Sequence, residues 1–413
     1  MTELANEKEK KHKLHVSNYA MLTSHGINLI VSVFVSTFLV SYIYSISENY
    51  VLSIGLFYCF NYLCMGICYY LISLFLDKTN RVSFYRVAIV IRTIFIVCVI
   101  FLGKKLAGLV ILAGALHGFS EACYWSSYNL MKNELVSKHV VSIYSTLQIV
   151  VDKTVNIIIP IILGKIIDAD SFKTSAIIVL CFAIIEMIAS FLIKSKRPEN
   201  SSFDMKAFFA NIKNLGEKKS FVLDIIIFGA VYGLTTIITP LNTILIMLTF
   251  NSNFSLGLIT SLFSVCAMIF LLIIKKFTKT DKRRVLFVLV SILVMVATIL
   301  AAIITNKTTI IIYSLVYNIF SVLFIFTYDV HRNTILKKLS MYDDIAEFQA
   351  CIECSMAAAR TLSFLIMILC AVFAGGNLAL LTKILLIMFM CSLPVMNIGL
   401  LFYEKKLKKF DLA

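Results

Sequence analysis

Runs of about 20 apolar residues recur along the whole chain, and no other feature limits its possible folds so strongly. A helix of that length spans the roughly 30 Å hydrocarbon core of a bilayer, where the backbone must satisfy its own hydrogen bonds. The chain has 413 residues, 60% of them hydrophobic, and a mean hydropathy of +0.92. Soluble domains do not reach such values. The sequence therefore predicts an all-α integral membrane protein embedded in the lipid bilayer.

Twelve such runs can be distinguished, and we predict that each forms a transmembrane helix. They cover residues 19–43, 51–76, 84–103, 106–131, 141–164, 172–193, 220–249, 254–274, 285–305, 308–330, 345–374 and 377–403. The first 16 residues carry too many charges for a signal peptide, and the run that follows is too long for one. The first run is therefore predicted to stay in the protein as a span.

The distribution of Lys and Arg predicts the orientation, because these residues are retained on the cytoplasmic side during insertion. If the N-terminus is cytoplasmic, most of the 38 Lys and Arg residues fall in cytoplasmic segments and few in external loops. We therefore predict a protein of the cell membrane with both termini in the cytoplasm. The net charge of +15 is spread over short segments rather than gathered on one domain, so nucleic-acid binding is not expected.

The longest polar segment, residues 194–219, follows the sixth run and divides the twelve runs into two sets of six. Its apolar side chains share one helical face, which predicts an amphipathic helix on the cytoplasmic interface. That face consists of Met205, Phe208, Phe209, Ile212 and Leu215. The predicted units are an N-terminal tail 1–18, a bundle 19–193, the linker 194–219, a bundle 220–403 and a basic tail 404–413.

The two sets of runs resemble each other at an offset of about 200 positions, which favours two pseudo-symmetric six-helix bundles. The matching positions are Tyr128, Lys132 and Asn133 with Tyr328, Arg332 and Asn333, and Gln148 and Asp152 with Gln349 and Glu353. In such duplicated architectures the substrate site lies between the halves near the middle of the membrane.

The loop after the second run reads SLFLDKTNR, from Ser73 to Arg81. With this loop and the twelve-run layout, the chain resembles the major facilitator superfamily, whose pattern here is Gly-x-x-x-Asp-Arg/Lys-x-Gly followed by basic residues. Asp77, Lys78 and Arg81 fit the pattern, whereas Ser73 and Asn80 stand at the glycine positions. The resemblance implies transport by alternating access, with these charges in pairs that hold the cytoplasmic ends of the bundles together. An ordinary solvated turn is the alternative.

Polar side chains of the fourth run share one helical face. His117, Glu121, Tyr124 and Tyr128 recur at helical spacing, and Trp125 lies at the edge of this stripe. An acidic side chain at the centre of a membrane helix costs about 3 kcal/mol, so the stripe must face protein or water. In the family that the chain resembles, the first, fourth, seventh and tenth spans line a central cavity, which implies that this stripe is a cavity wall.

Glu121 has two interpretations. In the first, Glu121 carries the coupling proton or binds a cationic substrate, with His117 one turn away and Asp152 also taking part in coupling. In the second, Glu121 is a structural carboxylate paired with Arg92 or Lys153 on another span. The spacing of the residues does not separate these interpretations.

Other candidate cavity residues lie on the first, seventh and tenth runs. With those of the fourth run, the predicted lining is His25, Asn28, Tyr124, Trp125, Tyr128, Asn242, Tyr313, Tyr317, Phe324 and Tyr328. Aromatic rings and few charges suit amphipathic or cationic molecules, and also sugars, which stack on rings. An aromatic stripe at helical spacing is equally consistent with core packing.

Four further charges lie within predicted spans, namely Asp152, Lys153, Glu353 and Arg360. Charges at this depth need partners, so interhelical ion pairs are expected, and an exchange of partners would give them a gating role. Glu186 also lies within a span, and the sequence suggests no partner for it.

These features favour a monomeric secondary transporter that exports an amphipathic or cationic small molecule in exchange for protons. Uptake of a sugar, nucleoside or short peptide, lipid flipping, and a non-transporting receptor of the same fold are the alternatives. No catalytic constellation and no phosphate-binding loop occur, so neither an enzyme nor a cofactor is expected. Cysteines lie almost wholly within spans, and Cys351-x-x-Cys354 has no histidine nearby, so no metal site is expected.

Overall fold

The computed structural model describes residues 14–76, 80–136, 140–194, 203–274, 280–339, 341, 344–373 and 377–409. Within these ranges the chain forms helices and no β-strand, which confirms the prediction of an all-α protein. The helices are α1 (Val16–Ile46), α2 (Tyr50–Leu76), α3 (Arg81–Leu102), α4 (Val110–Leu135), α5 (Val141–Ala169), α6 (Phe172–Ser190), α7 (Met205–Asn214), α8 (Lys219–Leu234), α9 (Ile238–Phe250), α10 (Asn253–Ile274), α11 (Thr280–Ile303), α12 (Lys307–Lys338), α13 (Ile345–Phe373), α14 (Leu378–Met390) and α15 (Ser392–Lys409).

In the described part of the chain, eight helical segments are long and apolar enough to cross a membrane. They are Val16–Ile46, Tyr50–Leu76, Arg81–Gly108, Phe172–Ser190, Gly216–Phe250, Asn253–Phe270, Lys307–Leu336 and Ile345–Phe373. Helices α4 and α5 are also long, with 26 and 29 residues, but they carry more polar side chains. Such composition is expected of helices that face protein or a cavity rather than lipid.

Two segments of the chain depart from regular α-helical geometry. Between α8 and α9, residues Thr235–Ile237 form a 3₁₀ turn. Pro240 has no N–H to donate to the carbonyl of Thr236, so the regular ladder cannot continue through this point. Within α1, residues Phe34–Leu39 form a π-helical segment.

Helix α7 lies within the predicted linker. Its N-cap is Asp204, whose carboxylate accepts hydrogen bonds from the backbone N–H groups of Lys206 and Ala207 at 2.8 and 3.1 Å. Phe208 and Ile212 are buried on one face of the helix. This pattern is that of a helix packed against the protein along one side.

Two helix pairs make the main packing between residues 14–194, here called the first half, and residues 203–409, the second half. These pairs are α2 with α13 and α5 with α10. Glycines allow the backbones to approach closely in the second pair. A Cβ on Gly257 would lie 2.0 Å from the carbonyl oxygen of Pro160, and one on Gly164 would lie 2.4 Å from that of Asn253.

Candidate functional site

Arg92 of α3 is the centre of a buried ionic cluster in the first half. The side chain is fully buried, and its Nη1 donates to both carboxylate oxygens of Glu186 on α6, at 3.2 and 3.1 Å. Nη2 lies 3.8 Å from Oε1 of Glu121 on α4. Ser24 donates to Glu186 at 3.2 Å, and Tyr85 donates to Ser24 at 2.6 Å. Glu186, for which the sequence suggested no partner, thus has a full set of donors.

Glu121 differs from Glu186 because its side chain is not completely buried. Its side chain is 16% exposed, whereas that of Glu186 is 0% exposed. Trp125 donates its indole N–H to Oε2 of Glu121 at 2.8 Å. His117 Nε2 lies 4.0 Å from Oε1, and its other ring nitrogen is held by the Asn61 amide oxygen at 2.9 Å. Glu121 therefore joins the buried cluster to the space outside it.

The charges of this cluster do not balance. Two carboxylates, Glu121 and Glu186, share the single guanidinium of Arg92. With both carboxylates ionised and His117 neutral, the cluster carries one net negative charge inside the membrane span. One added proton would make the cluster neutral, and a neutral cluster costs less inside the membrane than a charged one.

A second polar network surrounds His25 of α1. Nε2 of His25 lies 3.1 Å from Oδ1 of Asp152, and Nδ1 lies 2.8 Å from the Tyr124 hydroxyl. The ring stacks on Tyr128 with centroids 4.8 Å apart. Tyr124 and Tyr128 are fully buried in this packing, whereas Asp152 is 35% exposed. Gln148 lies beside His25 at 3.3 Å.

Aromatic residues of the second half surround a small pocket. It is lined by Tyr232, Thr235, Tyr317, Phe320, Ser321, Phe324, Leu393 and Met396. Two other rings of the predicted stripe lie elsewhere: Tyr313 is fully buried, and the Tyr328 hydroxyl donates to the carbonyl of Ile225 at 3.3 Å. Among the predicted aromatic residues, Tyr317 and Phe324 thus border open space.

Arg360 of α13 lies where the two halves meet. Its guanidinium carbon is 5.1 Å from the ring centroid of Tyr62 on α2, in the first half. It also interacts electrostatically with Tyr232 on α8. Glu353, two turns earlier on α13, accepts a hydrogen bond from Gln349 at 3.0 Å. The predicted ion pair between Arg360 and another helix is not formed among the described residues.

The remaining predicted residues have separate positions. Arg81 donates to Glu134 at 3.2 Å, a pair within the first half. Lys153 interacts electrostatically with its neighbour Asp152. Asn28 is buried, with no hydrogen-bond partner for its side-chain oxygen among the described residues. Asn242 accepts a hydrogen bond from Ser314 at 2.7 Å. Asp77 and Lys78 lie outside the described residues.

Sequence reasoning missed several members of the site. Asn61, Tyr62 and Tyr85 lie on runs that were predicted to be outside the cavity wall, so their polar groups were not considered. Glu186 carried a usable signal, because a carboxylate within an apolar run needs a cationic partner. Arg92 lies in an apolar run of the same half of the chain, so it was a candidate for this cationic partner.

Asp168 at the end of α5 joins the halves at one end of the bundle, here called the Asp168 end. Its carboxylate accepts hydrogen bonds from the backbone N–H groups of Asn253 and Phe254 at 3.0 and 2.9 Å, and from Ser252 at 2.6 Å. It therefore caps α10, and Ser41 of α1 adds a hydrogen bond of 2.6 Å to Asn253. The Asp168 end is closed by bonds between the halves.

Comparisons with known proteins agree on the fold. A family model described as Major Facilitator Superfamily matches residues 21–336. Two crystal structures of the nucleoside transporter NupG, one of them of a mutant, match with a TM-score of 0.69 and 14% identity. The matches cover 94% and 95% of this chain and all of those chains. No curated protein sequence matches the chain. At 14% identity the structural likeness concerns the fold alone.

Proposed function

Because the chain belongs to the major facilitator superfamily, we propose that it is a secondary active transporter that takes up a small polar solute together with protons. The observation that carries the proposal is the unbalanced cluster of Arg92, Glu121 and Glu186, in which the Glu121 side chain is only partly buried. A site of this kind binds and releases a proton as its access to the two sides of the membrane changes.

The transport cycle is alternating access between two six-helix bundles. In this proposal α8 and α9 form one span, α14 and α15 form another, and α7 lies outside the membrane, which gives twelve spans. The packing of the halves supports the symmetry: α2 and α10 are the second spans of their halves, and α5 and α13 are the fifth. The pairs α2 with α13 and α5 with α10 are therefore equivalent under a two-fold axis between the halves.

The positive charge of the linker and tails supports a cytoplasmic position for the end of the bundle that carries α7. The Asp168 end then faces outwards, and the bonds from Asp168 to α10 close the solute path on the external side. Opening outwards requires these bonds to break. The protein acts as a monomer in the cell membrane.

The chemistry between the halves supports a polar solute with a ring or another flat face. Tyr62 offers a ring at the contact between the halves, Tyr232 and Tyr317 offer rings in the second-half pocket, and Trp125 lies beside Glu121 in the first half. The fold neighbours are nucleoside transporters, so nucleosides belong in the first uptake assay. Export of a lipophilic cation is the second candidate, favoured by the partly exposed Glu121 beside Trp125.

The test uses purified protein in liposomes with an internal pH-sensitive dye. Nucleosides, sugars, organic acids and lipophilic cations are added outside under an imposed pH gradient, and proton flux and solute flux are recorded. We expect one solute class to drive proton entry. In Glu121→Gln, we expect net proton-coupled flux to fall by about 100-fold, while solute exchange without a gradient continues.

Glu48→Gln is the matched control, because Glu48 is an exposed carboxylate outside this cluster. It should transport as the unchanged protein does. An unaltered pH dependence in Glu121→Gln would remove Glu121 from proton coupling. Proton exit coupled to cation export would replace uptake with the second candidate, and flux without any proton movement would refute proton coupling altogether.

A further inference from the structure

We propose that Arg360 binds a carboxylate of the transported solute, so that the solute is a monovalent organic anion with a flat apolar body. This inference rests on the proposed transport function and adds the substrate class. Its structural basis is an arginine within a membrane span that forms no ion pair with a carboxylate among the described residues.

A guanidinium within the membrane needs an anionic partner, because its transfer from water is costly. Among the residues that the structure describes, Arg360 forms no ion pair with a carboxylate. Its Nε is buried and has no hydrogen-bond partner. Glu353, two turns earlier on the same helix, acts on Arg360 electrostatically without forming an ion pair, and its carboxylate accepts a hydrogen bond from Gln349.

Arg360 lies at the contact between the two halves. Tyr62 of the first half covers one face of the guanidinium, and Tyr232 of the second half lies near it. Tyr62 follows Asn61, whose amide oxygen contacts His117 beside Glu121. Arg360 therefore lies between the halves, close to the carboxylate that we assign to proton coupling.

The N–H groups of the guanidinium determine which ligand can bind. A ring on one face leaves the planar row of N–H donors available, and this row matches the two oxygens of a carboxylate. Glu121 and Glu353 make the surroundings acidic, so a dianion would be repelled more strongly than a monoanion. The rings of Tyr232 and Tyr317 provide a surface for a flat solute body. One monoanion entering with one proton moves no net charge.

The test compares acids with their neutral amides. Benzoate, nicotinate and indole-3-acetate are used as probes, with benzamide, nicotinamide and indole-3-acetamide as neutral partners and phenyl phosphate as the dianion. Binding is measured by thermal shift and by uptake into liposomes. We expect at least one of the three acids to bind and to be transported, and its amide to bind at least about 10-fold more weakly.

Arg360→Gln should weaken binding of that acid by roughly 10- to 100-fold, since it removes a charge-assisted pair. Arg360→Lys keeps the charge but loses the flat donor row, so an intermediate effect is expected. Arg86→Gln is the matched control: Arg86 also lies over a ring, 4.7 Å from the centroid of Phe191, but within the first half. Its substitution should leave acid binding unchanged.

Several outcomes overturn the inference. They are binding of none of the three acids, equal binding of acid and amide, tighter binding of phenyl phosphate, and loss of binding in Arg86→Gln as large as in Arg360→Gln. If neutral nucleosides or amides drive proton entry while the acids do not, the inference fails and the proposed function stands. If no solute drives proton movement, the proposed function itself fails. Arg360→Lys keeps the test valid if Arg360→Gln does not fold.

Discussion

Arg92 and Arg360 both lie on membrane-spanning helices, but they differ in burial and in their carboxylate partners. Arg92 is completely buried and has two carboxylates, from α4 and α6, within 3.8 and 3.1 Å. Arg360 is half-buried, lies over one ring, and has no carboxylate partner among the described residues. Both arginines lie on membrane-spanning helices, yet among the described residues only Arg92 forms ion pairs with carboxylates.

The difference separates what folding requires from what transport requires. The pair of Arg92 and Glu186 joins α3 to α6 within one half, so it stays intact while the halves move against each other. Arg360 lies at the contact between the halves, which must open and close during transport. An arginine that formed ion pairs with protein carboxylates across this contact would hold the halves in one state. If its partner is the solute, solute binding instead shifts the equilibrium between the states.

The largest effect is expected from breaking the buried pair. Glu186→Gln leaves Arg92 without its closest carboxylate, and removal of one partner of a buried ion pair costs about 3–5 kcal/mol. We expect a clear loss of thermal stability in detergent, together with low yield. Arg360→Gln, measured in the same way, should change stability by less than about 1 kcal/mol.

The double variant of Arg92→Met with Glu186→Leu separates charge from packing. Apolar residues of similar volume often replace a buried ion pair without loss, so stability should recover substantially. A Glu186→Gln protein as stable as the unchanged chain would mean that the pair is not the structural centre of the first half, and the contrast with Arg360 would disappear.

The sequence predicts the helices of this fold better than it predicts their partners. Long apolar runs fix where helices lie, because only a helix satisfies its backbone in lipid. The spacing of His117 and Glu121 also fixes their proximity on α4. The partner of Arg92 could not be chosen from the sequence: Glu121 and Glu186 were both available, and the choice depends on how α3 packs between α4 and α6.

The polar stripe of α4 shows the same limit. Its four residues share a face, but neighbouring helices divide that face into two networks. His117 and Glu121 join the cluster around Arg92, and Tyr128 packs against His25. Tyr124 contacts both networks, because its hydroxyl bonds to His25 and its ring lies 4.9 Å from the Arg92 guanidinium. Helical periodicity gives the direction of a side chain from its own axis, and it carries no information on which helix stands opposite.

A smaller effect is expected at Ser24, which links Tyr85 to Glu186. Ser24→Ala leaves a buried hydroxyl and a carboxylate oxygen short of one partner, so we expect a loss of about 1–3 kcal/mol in unfolding free energy. Ser126→Ala is the control, because Ser126 is equally buried but donates only to the backbone carbonyls of Ala122 and Cys123, one turn back on its own helix. Equal losses in the two variants would mean that the Ser24 bridge adds nothing to the cluster.

The smallest effect is expected at Tyr62, whose ring lies against the Arg360 guanidinium. Tyr62→Leu removes the ring that covers the guanidinium, and a cation–π contact contributes about 0.5–2 kcal/mol. Because the ring orients Arg360 rather than binding the solute carboxylate, the half-saturation concentration for acid uptake should rise by roughly 2- to 30-fold, with little loss of stability. Tyr62→Phe keeps the ring and should behave as the unchanged protein. A larger loss of stability than of affinity in Tyr62→Leu would give Arg360 the same structural role as Arg92, because its surroundings would then serve packing rather than solute binding.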